Sequence, residues 1–175
     1  MSRPEVEAAS PFVLEHLPLA PPGPALDVAC GSGRHALAVA ATGRRVEAID
    51  RDLERCRALA ARARAARLPI AVVCADLEHW PLPVARYAVI VNTLYLDRRL
   101  TDALERALRP GGLLLFETFT VDQLATGHPR NPSFVLAPRE LPRLVGGLRV
   151  VAYREGPVER DGRVVHLASL AARAP

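Results

Sequence analysis

The chain has 175 residues, half of them hydrophobic and 24% charged, and carries a formal net charge of +4. That length suits one domain with a real core and is short for two, so a single domain over residues 1–175 is expected. No apolar run approaches the ~20 residues of a membrane helix, and Met1-Ser2-Arg3-Pro4-Glu5 lacks the apolar core of a secretory signal, which points to the cytoplasm.

Residues 1–24 read as a covering helix and a proline-rich connector. Ser10-Pro11 offers an N-cap with proline at the first helical position, and Phe12, Val13, Leu14 and Leu17 supply apolar contacts. Pro18, Pro21, Pro22 and Pro24 then stiffen the path into a first strand over about 25–28. After the small-residue turn Ala29-Cys30-Gly31-Ser32, a helix is predicted from about Gly33 to Thr42, ended by Gly43. A second strand is expected over 45–50, a helix over 52–67 that stops before Pro69, and a wholly apolar third strand over 70–74. Short apolar strands joined by helices indicate a parallel sheet covered on both faces.

Residues 78–86 are too short and proline-broken for a full crossover helix. A fourth strand is predicted over 87–92, then a helix over Asp97–Leu108 with Leu100, Ala103, Leu104, Ala107 and Leu108 on one stripe. Pro110-Gly111-Gly112 ends it, and a fifth strand covers 113–118. A proline-rich loop over 122–138 and a short helix over 139–144 follow. Strands over 148–154 and 163–170 flank Asp161-Gly162, a strong hairpin turn signal.

All 23 basic residues are arginine, asparagine, glutamine and methionine are scarce, and there are 16 prolines. A thermophile with a GC-rich genome would account for both trends. The arginines crowd into 51–67, where Leu53, Cys56, Ala60 and Ala63 step by three and four, so they are expected on the solvent face of a helix. No aromatic residues interleave with them as a base-stacking platform requires, which argues against nucleic acid. Cys30, Cys56 and Cys74 have no disulfide or CxxC spacing and read as free thiols acting as small apolar fillers.

The chemistry gathers at the ends of the first three strands. Gly31 and Gly33 remove side chains where a ligand approaches the backbone, although Gly31-x-Gly33-x-x-Ala36 alone also fits a dinucleotide fingerprint. Asp27, Asp50 and Asp76 fall at the carboxyl ends of those strands and line one edge of a parallel sheet. An acid after the second strand can chelate ribose hydroxyls, and one after the third can accept from an exocyclic amine such as adenine N6.

In these residues the chain resembles the class I S-adenosylmethionine-dependent methyltransferases. Asp27-x-Ala29-x-Gly31-x-Gly33 is similar to their first motif, Ile49-Asp50 to the second and Ala75-Asp76-Leu77 to the third. Arg109-Pro-Gly-Gly112 resembles the turn these enzymes carry before the fifth strand, and the hairpin resembles their reversed last strand. Cys30-Gly-Ser-Gly-Arg-His35, Asn92-Thr-Leu-Tyr-Leu-Asp-Arg98 and Asn131-Pro-Ser-Phe134 resemble the small bacterial subgroup of the tellurite-resistance type. The resemblance implies a Rossmann-like α/β sandwich, a mostly parallel seven-stranded sheet with an antiparallel last strand, here with a shortened crossover between strands three and four. Ala29 stands where the family has the first glycine of its loop.

The resemblance further implies S-adenosyl-L-methionine as cofactor and methyl transfer to a small-molecule acceptor by in-line displacement. Ala29, Cys30, Gly31 and Gly33 would pack against the methionine part, Asp27 would hold the loop, and Arg34 would pair with the methionine carboxylate. Asp50, with Arg51 beside it, would take the ribose, and Asp76 and Leu77 would meet the adenine, with His79 and Trp80 covering it. Asn92 would face the reacting group, and Tyr95, His128, Arg130 and His35 are acceptor-side candidates, none with an assigned catalytic role. No metal cluster, nucleophile elbow or P-loop is present, and a chain without lysine cannot build Walker chemistry. Two alternatives stay open: a non-catalytic S-adenosylmethionine-binding module and, less favoured, an NAD(P)-dependent oxidoreductase.

Overall fold

The computed structural model describes residues 8–160 and 162–175. Met1 to Glu5 and Asp161 of the expected hairpin turn lie outside the described residues. The seven strands form one sheet, β1 (Ala25–Val28), β2 (Val46–Asp50), β3 (Ile70–Cys74), β4 (Tyr87–Thr93), β5 (Leu108–Phe119), β6 (Arg149–Arg160) and β7 (Arg163–Arg173), in the order β3-β2-β1-β4-β5-β7-β6. Pairing is parallel from β3 across to β5, and β7 runs antiparallel to both β5 and β6. The order reverses between β1 and β4, and such a switch point opens a crevice at the carboxyl ends of the strands.

Among the described residues α1 (Pro11–His16) precedes the sheet, and α2 (Arg34–Ala40), α3 (Leu53–Ala65), α4 (Thr101–Ala107) and α5 (Glu140–Leu144) connect its strands. They divide the core between the two faces of the sheet. One face packs α1, α2 and α3 on Ala48, Val89, Leu113 and Leu115, and the other packs α4 and α5 on Ile90, Leu114 and Phe116. No helix lies between β3 and β4, so the shortened crossover is confirmed.

Several boundaries differ from the sequence reading for identifiable reasons. Leu108 opens β5 instead of closing a helix, because Pro110 favours extended backbone in the residues before it. The terminal strands are longer than predicted, since antiparallel pairing continues to Arg160 and Arg163 with little buried side chain to mark it. On α3 the inner stripe is Cys56, Leu59 and Ala63, while Leu53 is 48% exposed. Leu59, fully buried, displaces the smaller Ala60 as the contact residue. Leu14 likewise faces solvent, leaving Phe12, Val13 and Leu17 as the buried residues of the lead-in.

Three arginines fix the proline-rich connector, one of them, Arg109, by donating to the Pro22 carbonyl. Arg44 donates to the carbonyls of Ala20, Pro21 and Gly23 at 2.9, 2.7 and 3.3 Å, and Arg173 donates to that of Leu19 at 2.8 Å. Guanidinium groups supply several donors in a fixed fork, which suits a proline-rich segment with free carbonyls and few N–H groups.

Candidate active site

The loop between β1 and α2 is held from below and from the side. Asp27 is buried within β1, and its carboxylate accepts from the Ala36 N–H at 2.8 Å, so it fixes the first turn of α2. Burial pushes its pKa up to about 7, against the opposing pull of that hydrogen bond and of Arg34. From the side, the Asp50 carboxylate accepts from the Gly31 N–H at 2.7 Å and from the Asp52 N–H at 2.9 Å. The Asp50 carbonyl also takes the Ala75 N–H at 2.9 Å, which locks the exit of β3 to the exit of β2. Asp52 is a helix cap, its side chain accepting from the Glu54 and Arg55 N–H groups at 3.0 and 3.1 Å.

The two glycines of the loop differ in kind. Gly33 has φ +77°, and a Cβ there would stand 2.2 Å from the Leu59 side chain, so its smallness lets α3 pack against the loop. Gly31 has φ +54° and a Cβ there would meet only Arg55, at 3.5 Å, so the space above it is open. Ala29 adopts φ +49°, a left-handed conformation that costs an L-residue ~1–2 kcal/mol, where a glycine would sit freely.

A cavity of about 800 Å³ opens beside this loop. Ala29, Asp50, Arg51, Asp76 and Leu77 line it together with Tyr95, Phe119, His128 and Phe134, and Tyr95 lies near Asp76 and Arg51. Asp76 closes its own turn by accepting from the Glu78 N–H at 3.0 Å. Burial and the neighbouring Asp97 raise the pKa of the Tyr95 phenol, so it remains a neutral hydrogen-bonding group at ordinary pH.

The structure therefore gathers Ala29, Asp50, Arg51, Asp76, Leu77, Tyr95 and His128 around one cavity. It keeps Asp27, Cys30, Gly31, Gly33, Arg34, Asn92 and Arg130 off the walls. Asp27 thus serves the loop from beneath and does not share the rim with Asp50 and Asp76. Asn92, buried at the end of β4, has its Oδ1 without a hydrogen-bond partner among the described residues. His79 and Trp80 are exposed and do not line the cavity, whereas Leu77 and Glu78 do.

His35 is a structural residue. Its Nε2 accepts from the Ser10 N–H at 3.0 Å, which leaves Nδ1 protonated and donating to Thr93 Oγ1 at 3.1 Å. The ring joins α1 to the end of β4, and burial first, then Arg34, pushes its pKa down to about 3.

Sequence reasoning missed Arg98 and Phe119. Arg98 donates to Glu140 Oε1 at 2.6 Å and to the carbonyls of Ser133 and Val135, both at 3.0 Å, fixing the loop that carries Phe134 against the cavity. Phe119 ends β5 beside the cavity, a position its place after the apolar run 113–116 could have signalled.

Taken together, these features form a cavity at the switch point of a Rossmann-like sheet. A methyltransferase-domain family model matches residues 25–112, half of the chain, and the chain belongs to that family. Its fold is that of the class I S-adenosylmethionine-dependent methyltransferases. It is similar to TehB from Haemophilus influenzae, with a TM-score of 0.82 and 22% identity over 95% of this chain, and spans 63% of the length of that protein. An S-adenosylmethionine-dependent methyltransferase from Methanosarcina mazei superposes with a TM-score of 0.75 and 18% identity, over 95% of this chain and 98% of that one. The geranyl diphosphate C-methyltransferase of Streptomyces coelicolor A3(2), solved with S-adenosyl-L-homocysteine, gives 0.73 and 20%, over 94% and 78%. No curated protein matches the sequence. Among the described residues no group of His, Cys, Asp or Glu is arranged to hold a metal ion, and no helix is long and apolar enough to cross a membrane.

Proposed function

We propose that the chain transfers a methyl group from S-adenosylmethionine to a small-molecule acceptor that enters beside Tyr95, His128 and Phe134. The observation that carries this reading is one continuous cavity running from Asp50 and Asp76 to those aromatic and loop residues. Its volume of about 800 Å³ falls in the ~300–1,000 Å³ range of small-ligand sites. Three features suit the cofactor: the open space over Gly31, the carboxylate of Asp50 held at the rim by backbone N–H groups, and the apolar Leu77 beside Asp76.

When bound, the cofactor supplies an electrophilic methyl on a positively charged sulfur. The protein's own work is placement. Asp50 takes the ribose hydroxyls with lone pairs left over from Gly31 and Asp52, and Asp76 with Leu77 holds the base. Tyr95 and Phe134 shape the acceptor's approach and exclude water, and Arg98 holds the Phe134 loop in position. Orientation of this kind supplies ~7–11 kcal/mol in well-aligned reactions. His128, exposed and lining the cavity, receives the proton that an amine or hydroxyl acceptor releases. The free thiols fit a reducing cytoplasm.

The test is to incubate the protein with S-adenosylmethionine and separate panels of thiols, amines, carboxylates and metalloid oxyanions, measuring S-adenosylhomocysteine. Release that depends on one acceptor class supports the reading. Tight cofactor binding with no turnover across the panels would replace it with a binding module.

A further inference from the structure

Cys56 and Cys74 meet directly behind the rim of the cavity. Parallel pairing sets Cys74 beside Asp50, and strand alternation turns it to the face on which Ile70 and Val72 pack with Leu59 of α3. Cys56, in the first turns of α3, points back at the same place: its Sγ lies 3.4 Å from the Asp50 carbonyl oxygen and 3.8 Å from that of Val73. Cys74 Sγ lies 3.7 Å from the Arg51 carbonyl oxygen, so both sulfurs sit against the same two strand exits, at 50–51 and 73–74. Cys74 is exposed, whereas Cys56 is 4% exposed.

We propose that Cys56 and Cys74 form a reversible disulfide when the protein meets hydrogen peroxide, and that this bond weakens binding at the adjoining cofactor rim. The exposed Cys74 reacts first. Its thiolate attacks one peroxide oxygen, an S–O bond forms as the O–O bond breaks, and the other oxygen leaves as water. The Cys56 sulfur then attacks the Cys74 sulfur, the S–S bond forms as the S–O bond breaks, and a second water carries away the Cys56 proton. Two thiols are oxidised and one peroxide is reduced to two waters. Burial pushes the Cys56 thiol up to about 11, which suits it to the second, intramolecular step and not to the first.

The consequence follows from what the sulfurs now touch. A disulfide draws its sulfurs to ~2.05 Å and leaves no S–H, so the thiol hydrogen bonds to the carbonyls of Asp50, Arg51 and Val73 are lost. Asp50 and Arg51 line the cavity, and Ala75 and Asp76 follow Cys74 directly. The bond therefore draws the start of α3 toward the exit of β3, displacing the two carboxylates relative to each other. The effect on the cofactor rests on the preceding functional reading; formation of the bond does not.

The full chain is treated with equimolar hydrogen peroxide, mapped by mass spectrometry, and titrated with S-adenosylmethionine by calorimetry before and after dithiothreitol. The expected result is a mass loss of about 2 Da, a linked Cys56–Cys74 peptide, and cofactor affinity lowered about tenfold and restored by reduction. Cys74→Ser binds like the reduced protein and loses its response to peroxide. Hydrogen exchange over 50–56 and 74–77 changes on oxidation whether or not cofactor is present. Oxygen adducts on Cys74 without a link, a Cys30–Cys56 link, a dimer joined through Cys74, or unchanged affinity and exchange in the linked protein would each overturn the proposal. A reduced protein that binds no cofactor contradicts the functional reading, while the peptide map and exchange still decide the bond and its effect.

Discussion

The two ends of the cavity are built by different means. The Asp50 end is made of short backbone segments tied together by hydrogen bonds between strand exits, Gly31 and Asp52 to Asp50 and Ala75 to the Asp50 carbonyl. The Phe134 end is a loop held by a few long-range side-chain bonds, Arg98 to Glu140 across 42 residues and Gln123 to the His166 N–H across 43. The first end is rigid because its sheet is rigid. The second can change its lining without disturbing the sheet.

The sharpest break of this contrast is within the loop itself. Gly33→Ala forces a Cβ to 2.2 Å from fully buried Leu59 at φ +77° and is expected to cost ~2–4 kcal/mol in stability, read as a lowered denaturation midpoint. Gly31→Ala, with room for its Cβ, costs only ~1–2 kcal/mol in stability yet weakens cofactor binding. Equal losses of stability for the two would remove the distinction between a packing glycine and a ligand-facing one.

Two buried titrations beneath the rigid end run in opposite directions. His35 is held neutral down to about 3, whereas in the unfolded chain it protonates near 6.5. The unfolded state therefore takes up the extra proton, and stability falls as pH drops through that window, by a few kcal/mol in order of magnitude. Protonation would also place a proton on the Nε2 that accepts from Ser10. Asp27, raised to about 7 from 3.8, works the other way: the folded state keeps the proton longer, so stability falls as pH rises through about 4 to 7. Urea denaturation of His35→Gln should show less acid sensitivity. Asp27→Asn, whose amide oxygen still accepts from Ala36, should lose the decline toward neutral pH.

The smallest effect belongs to the loop end. Arg98→Ala removes the bonds to Glu140, Ser133 and Val135, and hydrogen exchange over 131–140 should quicken while global stability changes by only ~1–2 kcal/mol. Cofactor affinity should stay within about twofold, because the Asp50 end is independent of this loop. A large loss of affinity would show that the two ends are one unit.

This same difference decided what could be read from the sequence. The β1 turn, Asp50 and Asp76 were legible because parallel strands place their exits on one edge whatever the intervening helices do. Asp27 was legible as a loop support but not in its depth: it sits on β1 with its carboxylate buried under α2. Arg98 was invisible, since its partners Ser133, Val135 and Glu140 lie 35 to 42 residues away and only folding brings them together. The contact of Cys56 with Cys74 was missed for a related reason: each residue alone reads as a filler, and their meeting depends on β2–β3 register and on the rotation of α3.

Calorimetric titration of S-adenosylmethionine into the wild-type chain and into Asp50→Asn tests the central claim most directly, with the conservative change preserving shape. Loss of charge-assisted bonds worth ~1.5–3 kcal/mol should weaken binding roughly tenfold to a hundredfold. Equal affinity in the two proteins, or tight binding of NADH with none of S-adenosylmethionine, would contradict the account.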